Sequence, residues 1–69
     1  KTAKFAEMAI VYGNRYRSSV EGLDKKLTYS EVLFYKGEYH KSLELTINCL
    51  NRIEPGIYDK LLRLYGNEK

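Results

Sequence analysis

An all-α fold, a small antiparallel bundle of three longer helices and a short fourth, is what these 69 residues predict. Apolar side chains recur every three or four residues along most of the chain, the repeat that lines one face of a helix. Gly37 and the Pro55–Gly56 pair interrupt those stripes where a helix has to stop. No stretch alternates apolar and polar residues over a useful length, so no sheet is expected. Short connections place successive helices side by side in opposite directions.

Helix one is predicted over residues 2–17, with Phe5, Met8, Ala9, Tyr12 and Tyr16 on its stripe. Ser18 followed by Glu21 has the spacing of a capping box, which ends that helix and starts another. Helix two, over 20–36, carries Val20, Leu23, Leu27, Ser30 and Phe34, a coiled-coil-like alternation of threes and fours. Gly37 stops it, because glycine accepts the left-handed conformation found just past helix ends. Helix three, over 38–54, has the clearest stripe: Tyr39, Leu43, Thr46, Ile47, Leu50 and Ile53. Pro55 ends it by pushing its predecessor out of the helical region. Helix four, over 57–65, presents Ile57, Tyr58, Leu61, Leu62 and Tyr65 and is predicted to stop at Gly66.

Such a chain forms one domain, residues 1–69, with a small core, since a domain this size buries only about 60% of the surface its unfolded form exposes. Cys49 is the single cysteine, which excludes an internal disulfide framework and fits a reducing compartment. The single methionine is Met8, so the chain is read as a piece of a longer protein. No apolar run approaches the roughly 20 residues that span a bilayer. A membrane anchor is therefore expected to lie outside this piece. The net charge of +3 is unevenly placed: residues 1–26 hold six Lys or Arg against three Asp or Glu, and residues 27–69 hold six of each. That excess steers an acidic partner and is too small to announce a nucleic-acid binder.

The chemistry of an enzyme is missing from the pattern. His40, the lone histidine, sits nine residues from Cys49 on one helix, roughly 13 Å along its axis at 1.5 Å per residue. That separation defeats a Cys–His dyad within one molecule. Cys49 is read instead as a small core residue, and Glu31 as a helix-surface charge. Gly13, Gly22 and Gly37 stand alone, so no phosphate loop is formed. A non-enzymatic protein without cofactor or metal is the expectation.

The stretch VYGNRYRSS, residues 11–19, is the most pointed feature. At 100° per residue, Phe5, Met8, Tyr12 and Tyr16 turn toward the bundle, where tyrosines close a core edge with a wet hydroxyl. Tyr39 and Tyr65 are read in the same way. Ala3, Ala6, Ile10, Gly13 and Arg17 form a flanking side of mostly small residues. Gly13 costs about 1 kcal/mol against alanine in a helix, which is tolerable where another backbone passes close by. Arg17 lies over that side, within reach of a carboxylate on another helix. Glu7, Val11, Asn14, Arg15 and Ser18 remain outward.

The candidate protein-binding patch is thus Val11, Asn14, Arg15, Arg17 and Ser18, with Gly13 and Tyr16 as structural members of the motif. Its arginine offers a rigid fork to a partner carboxylate. An ordinary solvated helix face is the plain alternative. Nucleic-acid binding through interleaved arginines and tyrosines is a further rival. The inward turn of both rings and the flanking Glu7 and Glu21 argue against it, so no nucleic acid is expected. Nor does any helix set a basic face opposite a clean apolar one, as headgroup binding would need. Separately, YKGEYHKSLE resembles the turn of one tetratricopeptide unit, with small Ser42 facing the partner helix. A lone peptide-binding helical adaptor is the second reading.

YGNRYRSS, then a charged amphipathic helix, then FYKGEYHKSLELTINCLNRIEPG, resembles the C-terminal end of EzrA, a family of bacterial septation ring formation regulators. The resemblance runs from about Phe5 to Leu62. It implies a module of a longer rod of spectrin-like helical bundles, cytoplasmic and anchored by one N-terminal transmembrane helix, at the division septum. It implies restraint of the tubulin-like division protein FtsZ, and contacts with other divisome and wall-synthesis proteins. The family carries a short recruitment patch with Gln-Asn-Arg at its core. Asn14 and Arg15 match it, and Gly13 stands where glutamine is expected. RSSVEGLDKK also lacks the proline expected in the first inter-helix loop.

Overall fold

The computed structural model describes residues 2–65. They form four α-helices: α1 (Thr2–Gly13), α2 (Leu23–Tyr35), α3 (Tyr39–Ile53) and α4 (Ile57–Tyr65), with a 3-10 turn over Asn14–Tyr16. No strand occurs among the described residues. The fold is an all-α bundle, as the periodicity requires.

Two boundaries differ from the sequence expectation. The helix expected over 2–17 is α-helical only to Gly13, then tightens into the 3-10 turn. Such tightening is common where a helix runs out of carbonyl partners. Here it coincides with two long-range attachments on the same few residues, Tyr16 to Glu54 and Arg17 to α2. The helix expected from Val20 begins instead at Leu23, and Ser18 does not cap it. The Val20 amide, which a cap at Ser18 would leave waiting for a partner, already donates to the Tyr16 carbonyl at 3.0 Å. Gly22 makes the turn into α2 with φ of 84°, the left-handed region that glycine alone enters freely.

The remaining boundaries follow their local chemistry. At the end of α2 the Glu38 amide donates to the Leu33 carbonyl and the Gly37 amide to that of Phe34. That pair of bonds is a Schellman closure built on a left-handed glycine. Glu54, ahead of Pro55, is extended with φ of −134°. α4 spans the residues expected of it, and the stop expected at Gly66 lies outside the described residues.

Packing centres on α3, which is flanked by α1 on one side and α2 on the other. Ser30 of α2 meets Ser42 and Thr46, and Leu27 approaches Leu50, so α2 and α3 run antiparallel. Arg17 at the end of α1 reaches Asp24 near the start of α2, and the ring of Tyr58 on α4 returns to Phe5. The ends of α1 and α3 meet at Gly13–Leu50 and Tyr12–Glu54, so the three longer helices alternate direction. Ala6, Ala9, Ile10, Tyr12, Leu23, Leu27, Leu33, Leu50, Ile57 and Leu61 are buried.

Gly13 is buried where the three longer helices meet. A Cβ built there would lie 3.3 Å from methyl carbons of both Leu27 and Leu50. The close neighbours are thus two leucine side chains, not the passing backbone that the sequence suggested. Ser30, Ser42 and Thr46 are also completely buried between α2 and α3. Their hydroxyls bond one another and the Ser30 and Ser42 carbonyls at 2.6–2.9 Å, leaving no buried polar side-chain atom unpaired among the described residues. A satisfied network of this kind avoids the desolvation cost of burying hydroxyls.

Tyr39 and Cys49 sit further out than expected, while Tyr65 packs at the core's edge as expected. Tyr39 is exposed, its ring resting edgewise on Phe34 at 5.1 Å. Tyr65 is half-buried. Cys49 is half-buried and lines a shallow groove of about 200 Å³ between α2 and α3, with Val20, Leu45 and Ile53.

The Gly13 contact yields a prediction. Gly13→Gln relieves the conformational cost of glycine but forces new atoms against two fully buried leucines. Unfolding in urea should show a net loss of about 1–3 kcal/mol, the usual range for overpacking. An unchanged midpoint would mean that Leu27 and Leu50 have room to yield.

Candidate docking surface

Residues 11–18 close one end of the bundle, and their side chains divide into two sets. Val11 is 52% exposed, and Asn14, Arg15 and Ser18 are exposed beside it. Gly13 is buried, whereas Tyr16 and Arg17 are half-buried. The residues expected to form the patch are therefore exposed, except that Arg17 is half-buried and turned back toward α2.

Arg17 is occupied in full by its own molecule. Its Nε donates to Asp24 Oδ1 at 2.6 Å, and Nη1 and Nη2 fork onto the Glu31 carboxylate at 3.0 and 3.3 Å. Nη2 also donates to Thr28 Oγ1 at 2.9 Å, and Nη1 to Asn14 Oδ1 at 2.8 Å. Glu31, and after it Asp24, raise the guanidinium's pKa further. Glu31 is thus the partner of a bidentate pair, not the free surface charge that the sequence suggested. Spacings of four and three residues put Asp24, Thr28 and Glu31 on one face of α2. That face was legible in the sequence; its distance from Arg17 was not.

A second polar cluster holds the other side. Glu54 Oε1 accepts the Tyr12 hydroxyl at 2.8 Å and the Tyr16 hydroxyl at 3.1 Å, and Glu54 Oε2 accepts from Lys60 Nζ at 2.7 Å. One carboxylate therefore joins the end of α1 to α3 and α4. The Lys60 hydrogen bond, followed by that from Tyr12, holds the Glu54 carboxyl below its ordinary value. Glu54 in turn raises the Lys60 ammonium and the Tyr16 phenol. Neither Glu54 nor Lys60 was identifiable as part of this surface from spacing, because 38 or more residues separate Glu54 from the tyrosines.

Tyr12, only 3% exposed, is the ring that carries the burial, with Tyr16 packed at the core's margin. Over the Tyr12 face lies the Arg15 guanidinium, 4.2 Å from the ring centroid. Cation–π contact of this kind holds the charged group against the ring. Among the described residues Arg15 makes no ion pair or side-chain hydrogen bond. The arrangement offers hydrogen bonding and one charge; no group of His, Cys, Asp and Glu among the described residues is placed to hold a metal ion. No described helix is long and apolar enough to cross a membrane.

Residues 1–65 match the family profile described as septation ring formation regulator, EzrA. Septation ring formation regulator EzrA from Staphylococcus aureus strains JH9, Newman and USA300 is 40% identical to this chain over 55 residues. The match takes in 80% of this chain and 10% of each relative, so the chain spans about a tenth of the length of the curated relatives it matches. No solved structure matches it.

The two clusters predict distinct mutational and pH behaviour. Tyr12→Ala should cost about 3–5 kcal/mol in urea unfolding, as buried aromatic truncations do, with a smaller loss for Tyr16→Ala. Glu54 has a lowered folded pKa, so its contribution is present above the ordinary carboxylate value of about 4.3 and fades as pH falls through the lowered one. Lys60 and Tyr16 are raised, so theirs is present below about pH 10 and is lost as pH rises through the raised values. Melting temperatures followed by circular dichroism should therefore plateau between those limits. In Glu54→Gln the acid limb should become shallower; a limb of unchanged depth would assign it to other carboxylates.

Proposed function

The chain belongs to the EzrA family of septation ring formation regulators, and on that footing we propose that it is a non-enzymatic docking module of a bacterial cell-division regulator. Its role is to bring the longer protein to the division site by binding other division proteins. The contact surface is Val11, Asn14, Arg15 and Ser18. Arg17 holds that surface in place from behind, and Gly13 and Tyr16 support it within the bundle.

One observation carries this reading. Of the two arginines in NRYR, Arg17 is consumed by Asp24, Thr28, Glu31 and Asn14, while Arg15 is exposed and makes no side-chain hydrogen bond among the described residues. An arginine held rigid on a buried ring and left without a partner is the pattern of an interface anchor. The longer protein would be a membrane-anchored helical rod that restrains FtsZ ring assembly, with this module contacting FtsZ or another divisome member. A nucleic-acid role fits poorly, because Tyr12 is buried and both hydroxyls at this end are bound to Glu54.

In the full-length protein, Asn14→Ala combined with Arg15→Ala should leave the module's melting temperature within a few degrees of the parent. Arg17 keeps Asp24, Thr28 and Glu31. Enrichment of the fluorescently tagged variant at the septum should fall to the level of the surrounding membrane. Normal septal enrichment would reject the docking surface, and an early-melting variant would return both residues to a structural role.

A further inference from the structure

The chemistry of the partner can be read from the donors and acceptors that the surface leaves unspent. We propose that this surface recognises carboxylates, carried by an acidic segment of a partner protein with an apolar residue beside them; this rests on the docking reading above. The first ground is the orientation of the Asn14 amide. Arg17 Nη1 donates to it at 2.8 Å, and a guanidinium N–H can be accepted only by the amide oxygen. The oxygen therefore points back toward Arg17, and the NH2 group, with two donors, is the part left for a partner.

Arg15 supplies the second ground. Its guanidinium has donors only and rests over Tyr12, a ring itself fixed by burial and by the 2.8 Å bond to Glu54. The fork is thus ordered before a partner arrives, and little side-chain freedom is lost on binding. Asn14 and Arg15 together present N–H groups with no side-chain acceptor facing outward. A carboxylate, which accepts at two oxygens in the plane of a guanidinium, matches such a surface, and Val11 offers the adjoining apolar contact.

Charge accounting favours a protein over a polyanion. Arg17 is neutralised by Asp24 and Glu31, and Lys60 by Glu54. Within the patch itself, Arg15 is the cation that makes no ion pair among the described residues, while Lys4, Lys25 and Lys26 are exposed at other positions. Phosphate polymers and anionic bilayers draw their affinity from several cations acting together. A single oriented fork instead suits one or two carboxylates in a defined register.

Two charge-selective variants test this in the full-length protein. Asn14→Asp keeps an acceptor for Arg17 while replacing the outward donors by an acceptor. Arg15→Gln keeps a hydrogen-bonding side chain and removes the charge. Each should reduce septal enrichment about tenfold, the scale of one charge-assisted hydrogen bond, with the module's melting temperature unchanged. If both variants are recruited normally while the double alanine variant is not, docking stands and carboxylate recognition falls. Normal recruitment of the double alanine variant removes the docking surface itself. Cosedimentation of the purified module with phosphatidylglycerol vesicles, abolished by Arg15→Gln, would overturn the proposal in favour of lipid. Should Asn14→Asp melt early, Arg15→Gln alone decides, since Arg15 is exposed and bonds no other charge.

Discussion

At Gly13 the lack of a side chain lets Leu27 of α2 and Leu50 of α3 close against the end of α1, both within 3.3 Å of where a Cβ would stand. Three helices meet at that point, and the geometry of everything beyond it follows. Because the helices come so close, Tyr12 can be buried and still reach Glu54 with its hydroxyl, and Arg17 can reach across to Glu31. In a chain of this size, little core is available to hold four helices in register. A position that brings three of them into contact at once is correspondingly important.

Around that contact the polar groups act as pins between elements. Glu54 ties α1 to α3 and α4, Arg17 ties the turn after α1 to α2, and the Ser30–Ser42–Thr46 hydroxyls tie α2 to α3. Exposed ion pairs contribute little individually. Their value here lies in geometry: each joins residues far apart in sequence and is satisfied in only one arrangement of the helices. The same pins decide which charges remain open to the outside. Arg17 and Lys60 are spent on the fold, and Arg15 is left over.

This end of the bundle is held by polar bonds without being strongly charged. Its tyrosines face inward as supports, the amide of Asn14 is turned by Arg17, and the guanidinium of Arg15 sits over the Tyr12 ring. Gly13, in the place where the family resemblance expects glutamine, serves packing instead of contact. In this chain the motif's first position is therefore buried, and its second and third positions are exposed.

The sequence by itself determined the all-α class, the closures at Gly37 and Pro55, and the start of α4 at Ile57. These depend on local rules: a period of 3.6, the left-handed freedom of glycine, and the restriction that proline places on its neighbour. It also placed Asn14 and Arg15 on the outer arc, since helical phase survives a slight tightening of the turn. The break at Gly13, the start of α2 at Leu23, the exposure of Tyr39, and the partners of Arg17 and Glu54 were decided only in the tertiary structure. Each is the outcome of a competition between groups distant along the chain. Ser18 caps no helix because the Tyr16 carbonyl holds Ser19 and Val20 in a turn and α2 begins only after Gly22. A single sequence carries spacing but not distance, so it could say that two arginines were present without saying which one the fold would use.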